Sequence, residues 1–471
     1  MSYSESSALR RLRRSYLGDR DFFYRFLLIA LPIAVQNGVT NLVGLLDNVM
    51  VGQLGTIPMN GVSIVNHVLL VPNLCVFGAM SGAGIFVAQF CGSGDDEGIR
   101  YTVRFKVWAG AFLSVAVLLL FDRMGNQLIG LFLHGDEPIL LDITRKCGED
   151  YLRVAMWGIV PFCIGQVYVS TLREVGETVV PMKAGLAAVV VNVVLNYVLI
   201  FGAFGMPAMG VRGAALATVV SRFVECGVSI AWMHTAGRRF GFVSGLFRSL
   251  RLPPRLFRRI LMKCLPLMLN EGLWSGAMTV LHQRYSTRGL DAVAALNISS
   301  TLSDVFIIFF IAAGDAIAIM VGQLLGAGKK EEARRADRVL CTYSVLGSLG
   351  LGMCMAACAP FFPLLYQTSP DVRSLASRLI VVAACMMPVF ALTNAAYFTL
   401  RSGGSTLITF VFDGLFMWCV AVPLAVAVTR FTTLPILPVY LICQLSEGIQ
   451  AVVGVVLVRR GRWVNNITQK E

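Results

Sequence analysis

Asp47 stands at the end of a long apolar run, within Gly44-Leu45-Leu46-Asp47-Asn48-Val49-Met50. A charge at bilayer depth is costly to keep, so it is a functional candidate by default. Gln36, Thr40 and Asn41 precede it on the same run. Positions 36, 40, 44 and 47 share one face of a helix, which draws a polar stripe ending in a carboxylate. One carboxylate among neutral oxygens suits Na⁺ or a proton and carries too little charge for a divalent ion. The plain alternative is an interfacial acid solvated at a helix end.

Asn192 and Asn196 lie one turn apart in a second apolar run, Val191-Asn192-Val193-Val194-Leu195-Asn196-Tyr197. Two such amides could ligate a cation or hold helices together, the latter worth about 1 kcal/mol each in a membrane. Thr218 has a weaker claim. Glu271 follows Pro266 by five residues, and Asn37 follows Pro32 at the same distance. A carboxylate therefore stands in the second half where an amide stands in the first, and it is a candidate proton carrier. Asp304, Asp315 and Asp413 are further acids within apolar runs, with no role assigned. Arg222 and Glu225 are spaced for a local i, i+3 pair. Pro32, Pro161, Pro266 and Pro388 interrupt helix ladders and permit bending.

The elements that must carry these residues are membrane helices. The chain has 471 residues, 56% hydrophobic and 14% charged, against roughly 25% charged in a soluble domain. Runs such as Phe22–Leu46, Ala184–Phe204, Val305–Leu325 and Val439–Val458 have the length a span needs or form part of one. The composition predicts an all-α polytopic membrane protein of about twelve spans, with the stretch from Arg123 to Arg153 polar and irregular. The first apolar run is too long for a signal peptide core. The net charge of +13 gathers at Arg10–Arg20, Arg238–Lys263, Lys329–Arg338 and Arg459–Arg462. That placement is the positive-inside pattern, with both termini cytoplasmic and anionic lipid as the partner, and no nucleic acid.

Several other chemistries find no support. The twelve cysteines include no CxxC pair, and cysteine in apolar spans behaves as a small hydrophobe. His67, His134, His234 and His282 show no metal-ligand spacing, and no Walker loop is present. No cofactor, metal site or enzymatic activity is expected.

The chain also repeats itself. Leu31-Pro32 recurs as Leu265-Pro266, and the same shift aligns Gly38 with Gly272, Gly55 with Gly289, Gln89 with Gln323, Gly92 with Gly326 and Gly94 with Gly328. Thr171-Leu172-Arg173 with Gly176 recurs as Thr399-Leu400-Arg401 with Gly404. Two related membrane halves point to a transporter with its site between them. Six spans in each half predict two lobes related by a pseudo-twofold axis along the membrane normal. The expected organisation is a basic tail over 1–21, an N-lobe over 22–235, a basic linker over 236–263, a C-lobe over 264–458 and a tail over 459–471. An amphipathic surface stretch is expected around Phe240–Leu252.

These residues resemble the multidrug and toxic compound extrusion (MATE) family over nearly the whole chain. The resemblance rests on Leu31-Pro32, Leu46-Asp47-Asn48-Val49-Met50-Val51-Gly52-Gln53-Leu54-Gly55, Gln89 with Gly92 and Gly94, Leu172-Arg173 with Gly176, and Asn192 to Gly202. In the second half it rests on Leu265-Pro266, Gln323 with Gly326 and Gly328, and Leu400-Arg401 with Gly403-Gly404. It implies a rocking antiporter driven by H⁺ or Na⁺ that exports amphipathic or cationic organic compounds across the plasma (inner) membrane as a monomer. It places the coupling ion at Asp47, with Asn192, Asn196 and Thr218 around it. Gln36, Asn37, Asn41, Glu271 and Asn394 are the expected cleft residues. One departure concerns Phe390-Ala391-Leu392-Thr393-Asn394, where a sodium-coupled branch carries Asp instead of Asn394; that branch also has its seventh-span Glu about one turn later than Glu271. The alternatives are a lipid-linked saccharide flippase of the same superfamily, for which few cations lie within spans, and a non-transporting membrane sensor.

Overall fold

The computed structural model describes residue 16 and residues 18–133, 138–366 and 368–469. Most of the basic N-terminal tail, and His134, lie outside them. Among the described residues every regular element is helical: α1 (Arg20–Gly52), α2 (Thr56–Ser93), α3 (Asp96–Gly130), α4 (Pro138–Ala155), α5 (Ile159–Glu174), α6 (Val179–Phe201), α7 (Val211–Thr235), α8 (Pro254–Ser286), α9 (Leu290–Gly326), α10 (Lys330–Cys358), α11 (Pro370–Ser402), α12 (Thr406–Phe410), α13 (Val422–Phe431) and α14 (Ile436–Arg459). A 3₁₀ turn joins α4 to α5, and two π-helical turns, Val411–Leu415 and Met417–Ala421, join α12 to α13. Counted as continuous rods, eleven among the described residues are long and apolar enough to cross a bilayer. The remaining rod, α8, starts on Arg255, Arg258 and Arg259 and carries Asn270 and Glu271 midway. The chain is an all-α, multi-pass membrane protein.

Two sequence expectations are corrected. The stretch from Arg123 to Arg153 is not irregular: α3 continues to Gly130 and α4 starts at Pro138. On α4, Thr144, Gly148, Tyr151, Leu152 and Ala155 are buried while the residues between them are half-buried or exposed. Helical spacing of a mixed sequence makes an amphipathic helix without an apolar run, which is why hydropathy alone missed it. The basic linker is also shorter than expected, because Pro254 opens α8 and proline at the first turn of a helix loses no ladder bond.

The helices form two compact units. The N-unit comprises Val35–Val87 and Asp96–Cys264; the C-unit comprises the described residues within Met1–Ala34, Ala88–Asp95 and Leu265–Glu471. Helices α1 and α2 therefore each divide between them. In the N-unit, small residues let backbones approach: a Cβ on Gly61 would lie 2.8 Å from the Thr144 carbonyl oxygen on α4, and one on Gly82 would lie 2.6 Å from Cys264 Cα. Small residues at such crossings are the usual device of membrane helix packing. In the C-unit one core joins Phe26 and Ala30 of α1 to Ala316, Ile317 and Val321 of α9, Leu340 of α10 and Phe398 and Leu400 of α11.

The internal repeat has a physical counterpart inside the C-unit. A Cβ on Gly92 would lie 1.8 Å from the Gln323 carbonyl oxygen, and a Cβ on Gly326 would lie 1.9 Å from that of Gln89. Repeat mates thus pack on each other reciprocally, with glycine required on both sides. The mates Gly94 and Gly328 turn the chain at φ +72° and +76°, a region side chains avoid. The segment after α14 docks here too. Gln89 Nε2 donates to the carbonyls of Ser402 (3.0 Å) and Asn465 (3.1 Å), and Gln89 Oε1 accepts from the Ile467 backbone N–H (2.8 Å). Trp463 is buried beside it, its Nε1 donating to the Val458 carbonyl.

Candidate functional site

Asp47 lies near the end of α1, and α6 brings Asn196 against it. Asn196 Nδ2 donates both to Asp47 Oδ1 and to Asn192 Oδ1 one turn earlier, the latter at 3.1 Å. Asn192 and Asn196 are 2% and 0% exposed. The i, i+4 spacing on α6 is what aligns the two amides beneath the carboxylate. The Asn196 side-chain oxygen Oδ1 is buried and accepts no hydrogen bond among the described residues. A buried acceptor without a donor costs about 1–3 kcal/mol, and a bound cation or proton would satisfy it.

Helix α7 supplies two neighbours. Thr218 Oγ1 donates to the Ala214 carbonyl of its own helix at 3.1 Å and lies near the Tyr151 hydroxyl from α4, which donates to Asn66 Oδ1 at 3.5 Å. Arg222 pairs with Glu225 at 3.5 Å, as the i, i+3 spacing predicts, and is also near enough to act electrostatically on Asp47. Tyr151 was missed because it belongs to the helix that the hydropathy pattern concealed. The role of Arg222 beside Asp47 was missed because its partner in sequence accounted for it.

Gln36, on the same stripe as Asp47, is buried and accepts a hydrogen bond from Arg173 of α5, while Gly185 of α6 passes close beneath it. Asn37 is half-buried and Asn41 exposed, and neither side chain makes a hydrogen bond among the described residues. Lys106, fully buried on α3, is held by Glu174 at 2.5 Å and by Ser170 at 2.9 Å.

The C-unit holds a different arrangement. Asn270 Nδ2 donates to Asp413 Oδ2 at 2.8 Å, and Asn270 Oδ1 accepts the Gly414 backbone N–H at 2.8 Å. Gln450 of α14 donates to Asp413 Oδ1 at 3.3 Å and to the Phe412 carbonyl at 3.1 Å. Asp413 sits in the first π-helical turn. Such turns release backbone groups from the regular ladder and often mark functional positions. Glu271 is one residue past Asn270; Tyr397 donates to it at 3.4 Å, and Arg401 and Asp413 act on it electrostatically. Glu447 lies near Asp413. Glu271 and Asp413 were thus singled out separately in sequence, and the fold places them in one network.

The remaining candidates lie on α9 and α11 of the C-unit. Asn394 packs against α9, its Oδ1 2.7 Å from where a Cβ on Gly314 would be. Asp304 is exposed and Asp315 half-buried on α9. No group of three His, Cys, Asp or Glu placed to hold a metal ion occurs among the described residues.

Comparison with known proteins adds a sequence and a fold likeness. A sequence model of the MatE family matches residues 32–198 and 267–427. The chain is 25% identical over 414 residues to a "Probable multidrug resistance protein NorM" of Thermotoga maritima, across 87% of this chain and 86% of that one. Its fold matches an outward-facing multidrug resistance MATE family transporter of the MOP superfamily with a TM-score of 0.83 at 19% identity, covering 93% and 96% of the two chains. It also matches a Pyrococcus furiosus transporter of that superfamily, with a TM-score of 0.80 at 18% identity over 96% and 98%. For that protein, reversed polarity of the binding pocket suggested a different function. The fold alone therefore leaves the cargo to the chemistry of the site.

Proposed function

The chain belongs to the MatE family, and from that premise we propose that it is a secondary antiporter exporting amphipathic, often cationic, organic compounds in exchange for H⁺ or Na⁺ by rocking-type alternating access. The observation that carries this reading is the Asp47–Asn196–Asn192 cluster, with its buried uncommitted oxygen. Asp47 binds the coupling ion, and Asn192 and Asn196 orient it. Thr218 joins them through its place beside Tyr151. Asn37 and Asn41, with uncommitted amides, and Glu271 are the residues offered to substrate. Gln36 contributes through Arg173, and Asn394 supports the packing of α11 on α9.

Exchange requires that ion and substrate favour different states of the protein. A single ionisable group at membrane depth can supply that difference, because its occupancy changes the local charge. Lys106 and Arg222, at depth in the N-unit, are already paired with the carboxylates of Glu174 and Glu225. That weighs against a cavity built for the pyrophosphate of a lipid-linked saccharide. The proposed setting is the plasma (inner) membrane, with both termini cytoplasmic, a functional monomer and no cofactor.

The test is dye uptake into inside-out vesicles under an imposed proton gradient, then a sodium gradient. Uptake driven by one gradient and lost in Asp47→Asn establishes antiport and identifies the ion. Unchanged uptake in folded Asp47→Asn removes Asp47 from the mechanism.

A further inference from the structure

The basic linker after α7 folds onto the start of α3. Arg100 donates from Nε to the Phe242 carbonyl (3.1 Å) and from Nη2 to that of Gly241 (2.7 Å). Arg104 donates from Nε to the Leu246 carbonyl (2.9 Å), from Nη2 to that of Gly245 (3.2 Å) and from Nη1 to that of Arg251 (3.4 Å). These arginines shape the linker into consecutive turns, with no helix beyond residue 239. The expected surface stretch is therefore amphipathic without being helical. Carbonyl partners orient a guanidinium but do not cancel its charge.

A cavity of about 460 Å³ opens between α3 and these turns, lined by Glu97, Arg100, Arg104, Ser244, Arg248 and Ser249 among others. Three guanidiniums face one carboxylate, and Glu97 already accepts from the Tyr101 hydroxyl. Asp96 packs on Gly241 and does not line the cavity. Arg248 is exposed and makes no side-chain hydrogen bond or ion pair among the described residues. The same segment has an apolar side. Phe242 and Leu246 are 1% exposed and anchor it inward. Phe247, Leu250 and Trp108 remain exposed at the rim, with Trp108 Nε1 donating to the Leu250 carbonyl at 3.2 Å.

We infer that this cavity binds the phosphate of an anionic phospholipid headgroup, with Arg248 as its free donor and Phe247, Leu250 and Trp108 against the acyl chains. Guanidinium forks match phosphate oxygens with charge-assisted hydrogen bonds. Tryptophan favours headgroup depth, where its ring is apolar and its N–H is wet. The volume suits a headgroup and excludes a whole lipid. The bound lipid would brace the linker against α3 in the N-unit.

The test is native mass spectrometry of the full chain in detergent with added phosphatidylglycerol or phosphatidylcholine, in wild type, Arg248→Glu, Arg248→Ala and Arg248→Lys. Wild type should retain phosphatidylglycerol over phosphatidylcholine by roughly tenfold, the equivalent of about 1.4 kcal/mol. Arg248→Glu and Arg248→Ala should lose that preference and Arg248→Lys keep most of it, with thermal unfolding in lipid-free detergent unchanged in all three. Equal retention of the two lipids by wild type, or an undiminished preference in Arg248→Glu, overturns the inference. Adduction of inorganic phosphate that depends on Arg248, without any Arg248-dependent retention of phosphatidylglycerol, also overturns it, since the site would then take free phosphate and not lipid.

Discussion

Each unit sets an asparagine against a membrane-depth aspartate, yet the two pairs are finished differently. In the C-unit both oxygens of Asp413 have donors, from Asn270 and Gln450, and the Asn270 carbonyl is occupied by a backbone N–H. In the N-unit, one oxygen of Asp47 accepts a bond from Asn196, and the Asn196 carbonyl is left without a donor. The first is a closed network and the second an open one. A fully bonded buried network specifies a structure, whereas an incomplete one carries a cost that a ligand can relieve. This difference ranks Asp47 above Asp413 as the proposed coupling site, although the C-unit has more acids.

The largest expected effect tests the open side. Asp47→Asn keeps size and polarity but removes the charge. Gradient-driven export should fall by at least about tenfold, which corresponds to about 1.4 kcal/mol of differential ion binding. Expression and thermal unfolding should stay as in wild type. If Asp413→Asn gives the same loss with its fold intact and Asp47→Asn does not, the ranking is reversed.

The closed side should respond in stability. Asn270→Ala removes the donor to Asp413 and the acceptor of the Gly414 N–H together. Leaving those partners unpaired should cost about 1–3 kcal/mol, read as a lower Tm in detergent. Transport per folded molecule should change little. A variant that melts normally but no longer couples would show that the C-unit network carries ions as well.

Asn196→Ala separates orientation from charge. It leaves the Asp47 carboxylate but removes its donor, and interhelical hydrogen bonds of this kind measure about 0.6–1.7 kcal/mol in membranes. The apparent affinity for the coupling ion should shift by roughly threefold to twentyfold, with maximal transport retained. Isothermal titration or ion-dependent fluorescence would measure it.

Much of this contrast could be read from the chain. The shift that aligns Gln89 and Gly92 with Gln323 and Gly326 signalled two related halves, and the structure shows those mates packed reciprocally. Asp47 and the Asn192–Asn196 pair were visible because a polar residue in an apolar run has few bland explanations. The rest was hidden for definite reasons. Tyr151 sits on an amphipathic helix with no apolar run. The π-helical turns around Asp413 change which residues face α8 and α14, and no residue pattern at 411–421 announces them. The division of α1 at Ala34 and α2 at Val87 between units is a matter of packing.

Thr218 provides the finest test of the comparison, since the family resemblance put it beside Asp47 and the structure gives it local partners. Its hydroxyl is committed to the Ala214 carbonyl of its own helix, a back-bond that membrane helices form readily. Removing it in Thr218→Ala frees a carbonyl that already has its ladder partner, so stability should change by less than about 0.5 kcal/mol. The apparent ion affinity should shift only slightly, through the Tyr151 hydroxyl beside it. Tyr151→Phe, which also removes the hydroxyl's bond to Asn66, should shift it at least as far, and adding Thr218→Ala to it should cause no further loss, because Thr218 acts through that hydroxyl. Losses that add in the double variant would instead place the Thr218 hydroxyl on the ion itself, and the open site would then extend across α1, α6 and α7.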